Sequence, residues 1–321
     1  NLVLEDSNIT LGIIFLFIQL SQMLFRPLRQ IADKFNTLQM GMVAANRVFK
    51  VLDTNSKVIN NGKFTSNDLD GNIEFSNVNF SYNMNEQVLH NINFNIKKGE
   101  KVAIVGATGA GKSTIINLLT RFYEIQKGSI KINGFEIRDL ELNFLRSKIA
   151  LVLQDVFLFA DTLLNNITLW KENIPFNSVV SSAKKIGIHD FIMSLPNGYN
   201  YNVKERGVML SQGQRQLVSF LRAYLQDPSI LILDEATSSI DSNFEELIQN
   251  AIQKITKDKT SIIIAHRLST IINSDKILVM DSGKLVEMGT HEELISKEKG
   301  FYKNLYEVQF KKESKLAQLQ S

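Results

Sequence analysis

The chain has 321 residues, 44% of them hydrophobic, and carries 36 Lys and Arg against 33 Asp and Glu. This length and hydrophobic content exclude an intrinsically disordered chain and allow one large domain with an appendage, or two modest domains. The net charge of +3 with no dense basic tract argues against nucleic acid as a partner, and the absence of cysteine excludes disulfides, thiolate metal sites and a cysteine nucleophile.

The first predicted element is an apolar helix near the N-terminus. No charged residue occurs between Asp6 and Arg26, and residues 9–25 are dominated by Ile, Leu and Phe. About twenty such residues cross the hydrocarbon core of a bilayer, so we expect a membrane-spanning helix in a lipid bilayer. A signal peptide is one alternative, but it would carry positive charges before the apolar run, where this chain has Glu5 and Asp6.

Two glutamines, Gln19 and Gln22, interrupt the apolar run and share one helix face. They weaken the second alternative, a buried core helix, and favour a face turned towards partner helices or a polar cavity. Arg26, Arg29 and Lys34 follow the run and predict that its C-terminal end lies on the cytoplasmic side of the cell membrane.

The helical pattern continues beyond the apolar run, and one helix over residues 9–52 would be about 65 Å long. Pro27 is expected to kink it near the membrane surface. A stretch rich in Asn, Ser, Asp and Gly then predicts a linker. The predicted division is a membrane helix with its extension, a linker, a second domain and a tail: residues 1–52, 53–71, 72–310 and 311–321.

The second domain is predicted to be α/β. Apolar residues alternate with period two over residues 73–82 and 88–96, which favours antiparallel strands. Further on, short apolar strands alternate with helices, as in a parallel sheet, and residues 155–225 are predicted to be a mostly helical insertion. The remaining predicted elements are strands near 102–105, 129–137, 149–153, 230–233, 261–264 and 276–280, a helix ending near Tyr123, and a helix over 244–255.

A glycine-rich segment stands where the strand ending at Val105 turns into a helix. It consists of Gly106, Ala107, Thr108, Gly109, Ala110, Gly111, Lys112, Ser113 and Thr114. A di- or triphosphate needs converging backbone N–H groups, a cation and a hydroxyl that holds Mg²⁺, and such a segment at a helix N-terminus supplies all three. We therefore predict a nucleoside triphosphate site, with a purely structural glycine-rich turn as the alternative.

A second motif, which is acidic, follows an apolar strand. Residues 230–234 read Ile-Leu-Ile-Leu-Asp, and Glu235 comes directly after Asp234. Two adjacent acids can divide the work, with Asp234 orienting the metal ion and Glu235 polarising the attacking water. The alternative is a pair of acids that stabilises a helix N-terminus.

Between these motifs lies Leu-Ser-Gln-Gly-Gln-Arg-Gln at residues 210–216, followed by a helical run. With this motif order, residues 72–310 resemble the nucleotide-binding domain of an ATP-binding cassette (ABC) exporter of the multidrug or lipid type, and residues 1–52 its last membrane helix. The resemblance implies a P-loop NTPase core with an antiparallel β-subdomain and a helical insertion. It also implies that ATP and Mg²⁺ are bound, and that ATP hydrolysis drives export.

The resemblance assigns roles to residues that composition alone leaves open. Tyr82 stands where the family stacks an aromatic ring on adenine, with packing in the sheet as the alternative. Lys112 is expected to contact the β- and γ-phosphates, and Thr114 and the loop amides the remaining oxygens.

The catalytic set and the metal site follow from the same resemblance. Ser113, Gln154 and Asp234 are expected to face Mg²⁺, with Gln154 also sensing the attacking water. Glu235 is expected to activate that water. His266 stands where the family contacts the γ-phosphate, although a lone histidine after a strand is more often structural.

The motif at 210–216 implies a dimer. In the family this motif completes the ATP site of a second cassette, so Ser211, Gly213 and Gln214 are expected to bind nucleotide held by a partner. Asp241 resembles the loop that crosses between the two cassettes. The partner cassette is therefore either a second copy or a different chain.

Two positions depart from the family pattern. Gln212 replaces the first glycine of the usual Leu-Ser-Gly-Gly-Gln, and weakened or retuned binding is expected. Lys204 stands where glycine is common, while Glu205 is retained, either to report the nucleotide state to the membrane domain or as a solvated charge.

Three hypotheses of function are compatible with these motifs. The leading one is the motor part of a membrane exporter with an unknown substrate. A soluble ABC-type ATPase acting on nucleic acid and a nucleotide-binding regulatory module without turnover are the alternatives. The family has six membrane helices per half and this chain starts with Asn1, so a longer, multi-pass protein is expected.

Overall fold

The structure is a computed structural model that describes residues 10–54, 58, 60, 62–65, 69–83, 86–234, 242–265 and 268–310. Contacts within the chain divide it into two compact units, residues 1–57 and 58–321. The division falls inside the predicted linker.

The described part of the first unit forms one helix, α1, over Leu11–Leu52. A helix of 42 residues is roughly 63 Å long at the usual rise per residue, and α1 is continuous across Pro27. None of its residues is buried, and its most apolar 18-residue window has a mean hydropathy of 1.6. By length and composition this helix is able to cross a membrane, as the sequence predicts.

Four strands of the second unit form an antiparallel sheet in the order β2-β1-β4-β5. Their bounds are β1 Ile73–Asn83, β2 Glu86–Ile96, β4 Lys127–Ile132 and β5 Phe135–Glu136. In β1 and β2, Phe75 pairs with Phe94 and their rings stack 4.5 Å apart. The period-two pattern of the sequence therefore predicted this sheet correctly.

Six further strands form the main sheet, in the order β10-β9-β3-β8-β7-β6. Neighbouring strands are parallel except for the pair β9 and β10, which is antiparallel. The bounds are β3 Lys101–Val105, β6 Ile149–Val152, β7 Ile230–Asp234, β8 Thr260–Ile264, β9 Lys276–Asp281 and β10 Lys284–Gly289.

The described α-helices of this unit connect the strands and include the predicted insertion. Their bounds are α2 Lys112–Leu119, α3 Leu142–Lys148, α4 Leu163–Thr168, α5 Phe176–Ile186, α6 His189–Ser194, α7 Gln212–Leu225, α8 Ser242–Thr256, α9 Leu268–Ile272, α10 His291–Ile295 and α11 Phe301–Leu305. Helices α4 to α7 lie within the segment predicted to be helical.

The main sheet has a hydrophobic core on each face, because alternate side chains of a strand point to opposite sides. Ile230 and Ile232 of β7 belong to the core that also contains α2 and the antiparallel sheet. Leu231 and Leu233 belong to the other core, with α7, α8 and the insertion. These layers confirm the predicted P-loop NTPase core with its two additions.

Helix α2 ends at Leu119, so the prediction of a helix to about Tyr123 is wrong. Arg121 has a left-handed backbone, with φ of 51°, and is buried. Its guanidinium donates to the carbonyl oxygens of Ile137 and Leu140 at 3.0 and 3.1 Å. These distant contacts draw the chain out of the helix, and nothing in the local pattern signals them.

Candidate nucleotide-binding site

The predicted phosphate loop links β3 to α2, as expected. Gly106 has φ of 152°, and a Cβ there would lie 2.2 Å from the carbonyl oxygen of Met280 in β9. Gly111 caps α2 in the left-handed region with φ of 98°. Residues 107–109 are exposed. The loop therefore fits closely against the sheet on one side and is open to a ligand on the other, where the first N–H groups of α2 have no intrahelical partner.

Lys112 begins α2 and is buried, with 9% of its surface exposed. Its ammonium donates to the carbonyl oxygens of Gly106 and Ala107 at 2.7 and 2.9 Å. Burial lowers the pKa of Lys112, and the Asp234 carboxylate opposes that shift by favouring the charged form. The cation thus lies inside the loop, bonded to neutral oxygens that a phosphate would outcompete.

Tyr82 lies near the end of β1, beside α2, with 38% of its surface exposed. Its hydroxyl donates to Oγ1 of Thr114 at 3.2 Å. Its ring makes T-shaped contacts with Phe80 and Tyr123, each with centroids 4.8 Å apart. A partly exposed aromatic ring next to a phosphate loop suits a nucleobase.

The predicted metal and catalytic residues follow strands whose carboxyl ends share one edge of the main sheet. Asp234 ends β7, and the exposed Gln154 comes two residues after β6. Strands β6, β7, β8 and β3 are adjacent and parallel, so the phosphate loop after β3 opens at the same edge. Glu235, Asp241 and His266 lie outside the described residues.

The donors that the sequence assigns to Mg²⁺ are chemically suited to it. Ser113 supplies a hydroxyl, Gln154 an amide oxygen and Asp234 a carboxylate, and Mg²⁺ prefers oxygen ligands completed by water and phosphate. Within the described part of the chain, no cluster of three or more His, Cys, Asp or Glu forms an all-protein metal site. This composition fits a metal ion that arrives with a nucleotide.

The motif at 210–216 forms the start of α7. Ser211 caps this helix by accepting from the N–H of Gln214 at 3.3 Å, and the Gln214 side chain accepts from the N–H of Ser211 at 2.9 Å. Ser211 is exposed, whereas Gly213 is buried. Among the described residues, no hydrogen bond or ion pair joins this segment to the phosphate loop of the same chain.

The two departures from the family pattern have different structural consequences. Gln212 takes the first position of α7 with a helical backbone, so glycine is not required there. Lys204 has φ of 59° and ψ of −177°, a region that only glycine adopts readily. This backbone conformation explains why glycine is common at position 204, and it shows that Lys204 is strained.

Replacing Lys204 by Gly is expected to raise the free energy of unfolding by about 1 kcal/mol, because relief of strain exceeds the entropy that glycine adds to the unfolded chain. Urea unfolding of the whole chain measures it. Lys184 is the matched control, since it lies exposed on α5 and Lys184→Gly should destabilise by about 1 kcal/mol. A neutral or destabilising Lys204→Gly substitution would contradict the assigned strain.

The sequence interpretation missed two residues that support the loop. Asn117, on α2, donates from Nδ2 to the Tyr82 hydroxyl at 3.2 Å. The N–H of Gly283, in the turn between β9 and β10, donates to the carbonyl oxygen of Ala110 at 3.2 Å. The helical spacing of Thr114 and Asn117 could have indicated the first, because residues three apart share a face. The second depends on a long-range contact that has no local signal.

The fold and this loop define a P-loop nucleotide-binding domain, whose phosphate site lies at the carboxyl edge of a parallel sheet. Residues 89–238 match the family model described as "ABC transporter". These residues therefore form an ABC transporter domain.

Two curated relatives and one solved structure are similar over most of the chain. An uncharacterized ABC transporter ATP-binding protein of Bacillus subtilis is 42% identical over 96% of the chain and 51% of its own length. An ATP-dependent lipid A-core flippase of Saccharophagus degradans is 46% identical over 89% of the chain and 48% of its length. A bacterial Atm1-family ABC exporter with ATP bound is 38% identical with a TM-score of 0.74, covering 93% of this chain and 52% of that one.

The chain spans about half the length of these relatives. The similarity includes both α1 and the nucleotide-binding domain, because it covers nearly the whole chain. These findings confirm the predicted resemblance to ABC exporters.

Proposed function

We propose that this chain binds and hydrolyses MgATP as one of two cassettes of an exporter, and that closure of the two cassettes moves the attached membrane helices. The loop from Gly106 to Thr114 cradles the phosphates, Lys112 neutralises the β- and γ-phosphates, and Tyr82 stacks on adenine. The open loop beside an exposed aromatic ring supports this assignment. The similarity to an exporter structure with ATP bound supports it independently.

We infer the hydrolytic roles from chain order and chemistry. Ser113, Gln154 and Asp234 would hold Mg²⁺, which supplies charge neutralisation at the transferred phosphoryl group. Glu235 accepts a proton from the attacking water, and His266 contacts the γ-phosphate. In the sequence, Gln154, Glu235 and His266 each come within two residues of the end of a parallel strand, and Asp234 ends one.

One observation carries the proposal of a shared site. The phosphate loop and the cap of α7 are both formed, yet no hydrogen bond or ion pair between described residues connects them. Ser211, Gly213 and Gln214 would therefore act on nucleotide bound to a second cassette. A complete set of catalytic residues in one chain is compatible with a homodimer, and also with a heterodimer.

The membrane role rests on α1. An apolar helix with no buried residue needs partner helices or lipid around it, so we place it in a cell membrane with further helices of a multi-pass protein. Arg26, Arg29 and Lys34 favour a cytoplasmic position for the nucleotide-binding domain. The exported substrate is determined by helices other than α1, and Gln19 and Gln22 indicate only that α1 has one polar face.

Replacing Ser211 by Asp tests the shared site, because Asp keeps a capping acceptor for α7 but sets a negative charge against the partner's γ-phosphate. We expect a non-hydrolysable ATP analogue to promote association of the unchanged chain in detergent, measured by sedimentation velocity. For Ser211→Asp the association constant should fall at least about tenfold, through like-charge repulsion.

Ser211→Thr is the matched control, since it keeps both the cap and the hydroxyl, and should associate like the unchanged chain. Binding of the analogue by the single cassette should change by less than about twofold in both variants, because distant sites act independently. Normal association of Ser211→Asp would refute the assignment of Ser211 to a partner's nucleotide.

A further inference from the structure

The hydroxyl of Tyr82 lies between two polar side chains of α2. Asn117 Nδ2 is 3.2 Å from Tyr82 Oη, and Tyr82 Oη is 3.2 Å from Thr114 Oγ1. Thr114 and Asn117 are three residues apart on α2 and therefore share one helix face. The three groups form one continuous hydrogen-bonded chain.

The hydrogen bonds of these three side chains run in one direction. The amide NH₂ of Asn117 only donates, so Tyr82 Oη accepts from it and turns its own proton to Thr114 Oγ1. Thr114 then has an occupied acceptor and a proton of its own to donate. Within the described part of the protein no acceptor takes that proton, although Thr114 is buried, with 6% of its surface exposed.

The tyrosine is fixed at its ring as well as at its hydroxyl. The ring makes T-shaped contacts with the buried Phe80 and with Tyr123, and the centroids are 4.8 Å apart in each pair. The hydroxyl is therefore held where the donor chain requires it. Successive donors along such a chain polarise one another, which strengthens the last bond.

We propose that Asn117 is a positioning residue for nucleotide binding, which acts through the Tyr82 hydroxyl to aim the Thr114 proton at a phosphate oxygen. The inference rests on the proposed nucleotide site and adds a role for the tyrosine beyond stacking. Tyr82 then serves both ends of the nucleotide, with its ring at the base and its hydroxyl at the phosphates.

The test is a double-mutant cycle on the whole chain in detergent, with affinities for MgATP and for inorganic tripolyphosphate measured by calorimetry. Asn117→Leu removes the donor with little change of volume, and Tyr82→Phe keeps the ring but removes the hydroxyl. Each should weaken both ligands by about threefold to tenfold, the range expected for one hydrogen bond. In the Tyr82→Phe background, Asn117→Leu should change affinity by less than about twofold.

Tyr123→Phe is the matched control, because its ring packs against Tyr82 while its hydroxyl has no hydrogen-bond partner among the described residues. It should bind both ligands normally. Equal effects of Asn117→Leu in the two backgrounds would refute the proposed hydrogen-bonded series. Weakened MgATP binding with normal tripolyphosphate binding would also refute it, because the effect would then be confined to the base.

The inference and the proposed function fail in different ways. If the unchanged chain binds no MgATP, the proposed function is refuted and the inference with it. If the unchanged chain binds MgATP and Asn117→Leu binds it equally well, only the inference is refuted.

Discussion

Replacing Glu235 by Gln is expected to slow ATP hydrolysis at least about 100-fold, the usual effect of removing a general base. Asp234, directly before it, ends β7 at the edge of the sheet where the phosphate loop opens. A carboxylate that follows Asp234 is expected to reach the attacking water, and the amide of Gln keeps its size but does not accept a proton. Phosphate release by the full-length protein in liposomes measures the effect.

The same preparation should bind ATP as tightly as the unchanged protein, because the proposed role of Glu235 concerns the water and not the phosphates. Glu292→Gln is the matched control: it removes one negative charge from an exposed position on α10 and should hydrolyse ATP normally. Unchanged hydrolysis by Glu235→Gln would refute the role of Glu235. It would mean instead that ATP hydrolysis depends on other groups.

The sequence predicted correctly that a glycine-rich loop joins a strand to a helix at residues 106–111, because the determinants of this turn are local. The glycines, Lys112 and the apolar strand before them are contiguous, and the alternation along β1 requires only one strand to be recognised. The cap of α7 was not predicted, although Ser211 and Gln214 have the spacing of a capping box. This spacing indicates a structural role for Gln214 at the start of α7, in addition to the predicted nucleotide contact.

Features that depend on distant contacts were not predicted. Strand β10 is a half-exposed edge strand with little alternation, so its sequence resembles a loop. The end of α2 depends on Arg121 reaching carbonyl oxygens at Ile137 and Leu140. The bond from Asn117 to Tyr82 joins residues 35 positions apart. In each case the fold, and not the neighbouring sequence, determines which group is the contact partner.

Replacing Lys112 by Met is expected to weaken ATP binding by about 100-fold or more, since a charge-assisted contact to phosphate in a partly buried site contributes several kcal/mol. The ammonium lies 2.7 and 2.9 Å from the Gly106 and Ala107 carbonyl oxygens, which places it inside the loop before any nucleotide arrives. Calorimetric titration with MgATP measures the loss. Lys299→Met, exposed beyond α10, is the charge-matched control and should bind normally.

Lys112→Met should weaken ATP binding, but it should not lower the free energy of unfolding of the protein without nucleotide. Burial lowers the pKa of Lys112 below its unfolded value, so the ammonium is disfavoured by folding, and this cost is fully present below the folded-state pKa. The cost diminishes as pH rises from the folded-state pKa towards the unfolded value, where the lysine is neutral in both states. Met removes the charge, so Lys112→Met should be at least as stable as the unchanged chain at pH 7 in urea unfolding. A variant that lost ATP binding together with stability would mean that Lys112 holds the loop in shape, and its assignment as a phosphate ligand would then fail.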